Sequence, residues 1–170
     1  PVGTGLIASF AHPGGNVTGM SMMSPDLAGK RLQLVREIVP GAIRVALLGW
    51  QVPGSGPVGQ RATEMLIAET ESAGRRMGID VTARIFADAS ELPAAVESIR
   101  RDRPQALIVQ VNSLTYDHRA AIINLAAQLR LPDMYEVRAY VDAGGLVSYG
   151  PDLKNYFRSA AGYVDKILRG

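Results

Sequence analysis

No cysteine occurs in the 170 residues, so the chain forms no disulfide and offers no thiolate to a metal or a substrate. That leaves every redox compartment open. Histidine is scarce, with only His12 and His118. Two histidines without cysteine make a weak metal site, and no cofactor is expected. No apolar run reaches the roughly 18 residues that a membrane-spanning helix requires. No secretion leader is recognisable, and the chain opens in mid-motif at Pro1, so a processed or truncated start is expected. Large charge is missing too: the formal net charge is +2. The basic residues are scattered, with no block of about five or six like charges. Neither nucleic acid nor an anionic membrane is indicated by that balance.

What is present is ordinary globular material. Hydrophobic residues make up 47% and charged residues 20% of the chain, enough for one packed domain. A chain near this length buries roughly 68–70% of its unfolded surface. Apolar periodicity switches repeatedly between strand and helix. Residues 44–50, 80–86, 106–111 and 132–135 read as strands, and the continuous Val45-Ala46-Leu47-Leu48 suits a parallel sheet covered on both faces. Helices are expected over residues 57–77, 88–99 and 152–168, with one capped by Thr115 or Ser113 and running to Arg130, and a further one opening at Ser24-Pro25-Asp26 and ending at Pro40-Gly41. A short helix over 2–11 and a brief strand over 16–21 are expected at the start. Asp88-Ala89-Ser90-Glu91 has the form of a capping box. Such alternation with short connections predicts an α/β fold with a doubly wound parallel sheet.

The stretch 131–152 carries most of the functional signal. It reads as a strand ending at Tyr135-Glu136, a short helix stopped by Gly144-Gly145, and a second strand ending at Ser148-Tyr149-Gly150. In open α/β sheets ligands bind beyond the carboxyl ends of the strands. The strands ending at Trp50, Val111 and Tyr135 are expected to be parallel neighbours. Their ends present Trp50 and Gln51, Asn112 and Ser113, and Tyr135 and Glu136 on one rim. Amide and hydroxyl groups there suit a carboxylate or an amine, Glu136 suits an ammonium, and Trp50 or Tyr135 suits a ring or cation. The plainer reading makes Tyr135 a core aromatic, Glu136 a solvated acid, Trp50 a half-buried rim residue and Asn112 a helix cap.

Gly54-Ser55-Gly56-Pro57-Val58-Gly59 fits the glycine fingerprint of dinucleotide sites. Gln51-Val52-Pro53 delays its first glycine, Pro57 removes a backbone N–H, and the next strand-end acid, Asp88, lies well past the usual ~20 residues. A loop at the rim of a cleft is the preferred reading. His118 beside Asp117 and near Ser113 crowds one helical turn, which does not build a catalytic triad.

Several blocks resemble the substrate-binding proteins of an ABC-transporter family with a type I periplasmic-binding-protein fold. They are Pro1-Val2-Gly3-Thr4-Gly5-Leu6, Pro13-Gly14-Gly15-Asn16-Val17-Thr18-Gly19, Gly29-Lys30-Arg31-Leu32 with Val39-Pro40-Gly41, and Tyr135-Glu136 with Gly144-Gly145 and Ser148-Tyr149-Gly150-Pro151-Asp152-Leu153. The resemblance runs over essentially the whole chain. After Leu48 the family's Asn-Pro is replaced by Gly49-Trp50-Gln51.

The resemblance implies a Rossmann-like lobe over 22–145, with 1–21 and 146–170 as crossover strands and helices of an incomplete first lobe. It implies a hinge at Thr18, Gly19, Ser148 and Tyr149, and a small polar ligand, an amino acid or similar, held without chemistry. It also implies an ABC permease as partner and a periplasmic or membrane-anchored extracytoplasmic location. Alternatives are a nucleotide-dependent oxidoreductase using residues 54–59, or a sensory ligand-binding domain of the same fold. The apolar terminal elements are expected to be buried against a second copy of the chain, as a homodimer.

Overall fold

The computed structural model describes residues 2–3, 5–17, 19–21, 27–51 and 53–169. Five strands and seven helices follow one another as α1 (Ala28–Ile38), β1 (Arg44–Trp50), α2 (Gly56–Met77), β2 (Asp80–Phe86), α3 (Leu92–Asp102), β3 (Ala106–Val109), α4 (Ser113–Asp117), α5 (Arg119–Gln128), β4 (Asp133–Tyr135), α6 (Arg138–Asp142), β5 (Val147–Ser148) and α7 (Leu153–Arg169). The strands form one sheet in the order β2-β1-β3-β4-β5, parallel throughout. The expected neighbours β1, β3 and β4 are therefore adjacent. Residues 147–148, grouped in sequence with the terminal elements, add the last strand to this same sheet.

Side chains alternate across a strand, so β1 feeds both faces. Val45 and Leu47 pack with Leu32 and Val35 of α1, Ala73 of α2, and Ile108 and Met134. Ala46 and Leu48 pack with Ile99 of α3, Ile122 of α5, Leu107, Val109 and Tyr135. Leu32, Leu48, Ile99, Leu107 and Ile122 are completely buried. Each such aliphatic side chain contributes roughly 1.5–3 kcal/mol through its removal from water. Helix α2 lies so close to β2 that a Cβ at Gly74 would stand 2.6 Å from Val81 and 2.7 Å from the Ile79 carbonyl oxygen.

The start of the chain departs from expectation. Residues 5–11 form turns and bends instead of a helix. Ser9 competes with helical bonding: its hydroxyl bonds the His12 carbonyl, and the His12 N–H bonds back to the hydroxyl at 2.9 Å. Leu6 and Phe10 stay about half exposed, so no packed face rewards a helix there. The described residues of 16–21 pair with no strand. The expected helix start at Ser24-Pro25-Asp26 and the hinge residue Thr18 lie outside the described residues.

The capping box at Asp88 exists in shifted form. Asp88 accepts from the Ser90 N–H, and Glu91 reaches back to the Ala87 N–H at 2.8 Å, over a single 3-10 turn that precedes α3. The helix expected to run to Arg130 is two helices: Asn112 caps α4, and α5 begins at Arg119. Among the described residues no helix is long and apolar enough to cross a membrane.

Candidate functional site at the carboxyl edge of the sheet

All five strands end on one edge, and the loops that leave it enclose two depressions. The larger, of about 510 Å³, lies beyond β4 and β5 and is lined by Tyr116, Glu136, Arg138, Ser148, Asp152 and Lys154, among others. The second, of about 430 Å³, lies beyond β1 and β2 and is lined by Gln51, Gly54, Ser55, Gln60 and Glu64.

Glu136 lines the larger depression, yet its carboxylate is committed inward. Its Oε1 is 3.0 Å from an Arg31 guanidinium nitrogen, with 2% and 3% of the two side chains exposed. Its Oε2 accepts from the Val111 N–H at 3.0 Å. Arg31 also donates from Nε to the Tyr149 carbonyl at 2.9 Å. Burial pulls the Arg31 pKa down, while the charge of Glu136 works in the opposite sense. One arginine thereby ties α1, the end of β4 and the exit of β5 together. Gly150 completes the junction, since a Cβ there would run into the Glu136 carbonyl oxygen.

Tyr135 is fully buried and never reaches the rim. Its hydroxyl donates to Asp133 Oδ2 at 2.7 Å, and its ring stacks on Tyr140 with centroids 4.5 Å apart. Burial and the bond to Asp133 push its hydroxyl pKa far above the ordinary range. Burial also pushes the Tyr140 hydroxyl up to about 12, although its hydrogen bond with Thr115 pulls the other way. Tyr116 meets Tyr140 edge-on at 6.1 Å and carries the Arg119 guanidinium over its other side, 4.6 Å from the ring centre. The three tyrosines form a ladder from the core to the depression, and only Tyr116 reaches its surface.

The remaining rim residues divide. Trp50 is half-buried, and its indole Nε1 donates to the Ala87 carbonyl at 2.7 Å. Gln51 donates from Nε2 to Ser55 Oγ at 3.2 Å and lines the second depression. Asn112 caps α4: its Oδ1 accepts from the Thr115 N–H and its own N–H bonds Thr115 Oγ1, both at 3.0 Å. Asn112 Nδ2 and Gln110 Oε1 are buried without a hydrogen-bond partner. Ser113 is exposed. Trp50, Asn112, Ser113 and Tyr135 line neither depression. Of the hinge set, Ser148 lies in β5 and in the larger depression, Tyr149 donates its N–H to the Tyr135 carbonyl at 2.9 Å, and Gly19 is exposed. In the 54–59 stretch Gly59 lies in the first turn of α2, where a Cβ would meet the Ser55 side chain and no strand, so it does not serve the close helix–strand packing of a dinucleotide fingerprint's third glycine.

Tyr116, Arg138 and Lys154 line the larger depression without having been singled out in the sequence. Tyr116 sits one turn past the rim residue Ser113, and Lys154 follows the Pro151-Asp152 turn, so extending the rim by one helical turn would have found both. Chemically the depression offers cations, carboxylates and hydroxyls around an aromatic ring. Asp152 is partly spent as the cap of α7, accepting from the Lys154 and Asn155 N–H groups. Arg138 and Asp142 pair loosely at 3.3 Å on an exposed face and can exchange that partner for a ligand. Among the described residues no group of three or more His, Asp or Glu is placed to hold a metal ion.

Comparison with known proteins agrees with this fold. A crystal structure of a conserved domain protein from Vibrio cholerae superposes with a TM-score of 0.85 at 24% identity, covering 100% of this chain and 54% of that one. An ABC domain from Streptococcus pneumoniae in complex with L-Trp superposes with a TM-score of 0.84 at 20% identity, again over 100% and 54%. A tyrosine-binding protein of Clostridioides difficile is 22% identical over 171 residues, which cover all of this chain and 46% of that protein. The chain thus spans about half the length of these relatives. The family described as ABC transporter substrate binding protein matches residues 1–170, and the chain belongs to that family.

Proposed function

We propose that this chain is the greater part of one lobe of a solute-binding protein that captures an amino acid outside the cytoplasm and delivers it to an ABC importer, without chemistry of its own. The observation that carries this reading is the mixed charge of the larger depression. Arg138 and Lys154 suit a carboxylate, Asp142 and Asp152 suit an ammonium, and the Tyr116 ring suits an apolar or aromatic side chain. A zwitterion satisfies all three. The tyrosine-binding relative and the L-Trp complex support an aromatic amino acid. In this reading Tyr135 and Glu136 hold the depression from behind, while Trp50, Gln51, Asn112 and Ser113 lie along the same sheet edge outside it.

The ends of the chain fit the same picture. Helix α7 has no buried residue, and it leaves Phe157, Tyr163, Val164, Ile167 and Leu168 more than half exposed. Residues 1–21 are linked to it through the Tyr156 hydroxyl, which donates to the Met20 carbonyl at 2.6 Å. We assign both segments to the other lobe, with the hinge at Gly19, Ser148 and Tyr149. The apolar face of α7 is the surface that the remainder of that lobe covers.

Calorimetric titration with L-tyrosine and L-tryptophan tests the reading. Saturable binding is expected, and Arg138→Ala and Lys154→Ala each weaken it. Loss of a charge partner to a desolvated ligand costs about 2–5 kcal/mol, so tenfold or more is expected from whichever cation the carboxylate uses. Unchanged affinity in both variants would move the ligand away from this depression.

A further inference from the structure

Because every strand runs the same way, the connections α1–β1, α2–β2, α3–β3 and α5–β4 all lie at the end of the sheet opposite the two depressions. Each connection contains one residue in the left-handed region. In the first two it is glycine, Gly41 at φ 83° and Gly78 at φ 68°. In the other two it is arginine, Arg103 at φ 48° and Arg130 at φ 53°. A side chain is strained in that conformation and glycine is not. Neither guanidinium makes a hydrogen bond or ion pair among the described residues. Both turns therefore hold an arginine that the local backbone does not favour.

These two are not alone. Arg44 opens β1 and donates from Nε to the Arg103 carbonyl at 3.3 Å. Arg36 lies in the last turn of α1, and α2 and α3 each end with an arginine pair. Eight of the fifteen arginines stand at this end, all exposed. Six acids lie at this end or one turn from it: Glu37, Glu71, Asp80, Glu97, Asp102 and Asp133, with Glu71 and Glu97 in exposed pairs with Arg75 and Arg100 at 3.9 and 3.4 Å. Asp133 is buried, and Asp102 is paired with Arg84. The sequence disperses these arginines over 95 positions, from 36 to 130, and the topology collects them. Helix dipoles favour a cation in a last turn. They do not call for arginine in place of glycine at the reversal.

Two aliphatic side chains project among the cations, Ile38 at 42% and Ile43 at 56% exposure. The crevice beside Ile38 is too narrow to admit a water molecule. We propose that this cationic end docks on an anionic phospholipid surface. Guanidinium groups bind the phosphodiesters, and Ile38 and Ile43 enter the headgroup boundary. A protein partner of comparable affinity seats its anchor in a pocket, and the crevice lined by Val35, Ile38, Val39 and Pro132 has no room for one. A bilayer surface needs no matching relief. This inference goes beyond the solute-binding reading and does not depend on it.

The test is co-sedimentation of the chain with phosphatidylcholine vesicles, with and without phosphatidylglycerol, at low and high salt. Binding is expected only to the anionic vesicles and is lost at high salt. The R103G/R130G variant places glycine where the backbone prefers it, so its melting temperature is expected to hold or rise. Its vesicle partitioning is expected to fall about tenfold or more, at roughly one order of magnitude for every one to two cations removed. Its response to L-tryptophan is expected to match the parent's, which separates failure here from failure of the solute-binding reading. Equal partitioning on neutral vesicles, or undiminished partitioning of the folded variant, overturns the proposal. So does tighter binding to soluble polyglutamate or to duplex DNA than to anionic vesicles, since either assigns the surface to another class of partner.

Discussion

Arg31 and Glu136, separated by 105 positions in the chain, meet at 3.0 Å in a place almost without solvent. A buried pair is costly to assemble but far more costly to break on one side, because the remaining charge has lost both water and partner. Replacing Glu136 alone by alanine, or Arg31 alone by methionine, should therefore lower stability by about 3–5 kcal/mol. Replacing both with apolar residues of similar volume should cost much less than the sum. Urea denaturation of the two single variants and the double variant measures the difference, and additive losses would show that the pair is not coupled.

The tyrosine ladder sets an alkaline limit. Tyr140 has its pKa raised from 10 to about 12, and that of Tyr135 is raised further. A raised folded-state value means that the native structure favours the protonated form. The associated stability is complete below the unfolded value near pH 10 and is lost as pH climbs through the folded value. For Tyr140 the two-unit shift corresponds to about 3 kcal/mol between pH 10 and 12. Denaturant melts across that window should show the fall, and Tyr140→Phe should make it shallower without abolishing it, because Tyr135 contributes over the same window.

Gly150 tolerates no side chain. A Cβ there would collide with the Glu136 carbonyl and stand 3.4 Å from an Arg31 guanidinium nitrogen. Gly150→Ala should destabilise by about 1–3 kcal/mol, as overpacking does. It should also disturb the Arg31–Tyr149 bond at the β5 exit. Hydrogen exchange of the Tyr149 amide reports that second effect directly.

Helix α7 should behave in the opposite way. Phe157 and Leu168 are 67% and 81% exposed, so serine at either position should change unfolding free energy by no more than about 0.5 kcal/mol. The same substitutions should reduce binding of an apolar dye. A large loss of stability on Phe157→Ser would mean that the helix is packed in solution.

The sheet was readable because its physics is local. The run Val45-Ala46-Leu47-Leu48 suits a strand covered on both faces, and turn residues such as Gly41 and Gly78 mark where helices stop. The strand ends expected at Trp50, Val111 and Tyr135 then fall along one edge of the sheet because β1, β3 and β4 are parallel neighbours. Which side chains point out of that edge was not readable. Tyr135 and Glu136 look like ligand residues because they end a strand, yet the nearest partners of Glu136 are Arg31 and the Val111 amide, neither of them near it in sequence. Long-range pairing of this kind leaves no periodic trace. The first residues failed for a related reason: apolar spacing yields a helix only where a packed face rewards it, and Leu6 and Phe10 stay about half exposed.

The lone tryptophan has an optical consequence. Trp50 ends β1, and its half-buried indole is held by one hydrogen bond to Ala87 in the connection that follows β2. The chain contains no other indole, so its indole emission, excited selectively from the six tyrosines, comes from this one point between two strand ends. Emission wavelength and quenching by iodide therefore follow the spacing of β1 and β2 at their carboxyl ends. No added label is needed to watch that part of the rim loosen or tighten, so long as the titrant is not itself an indole.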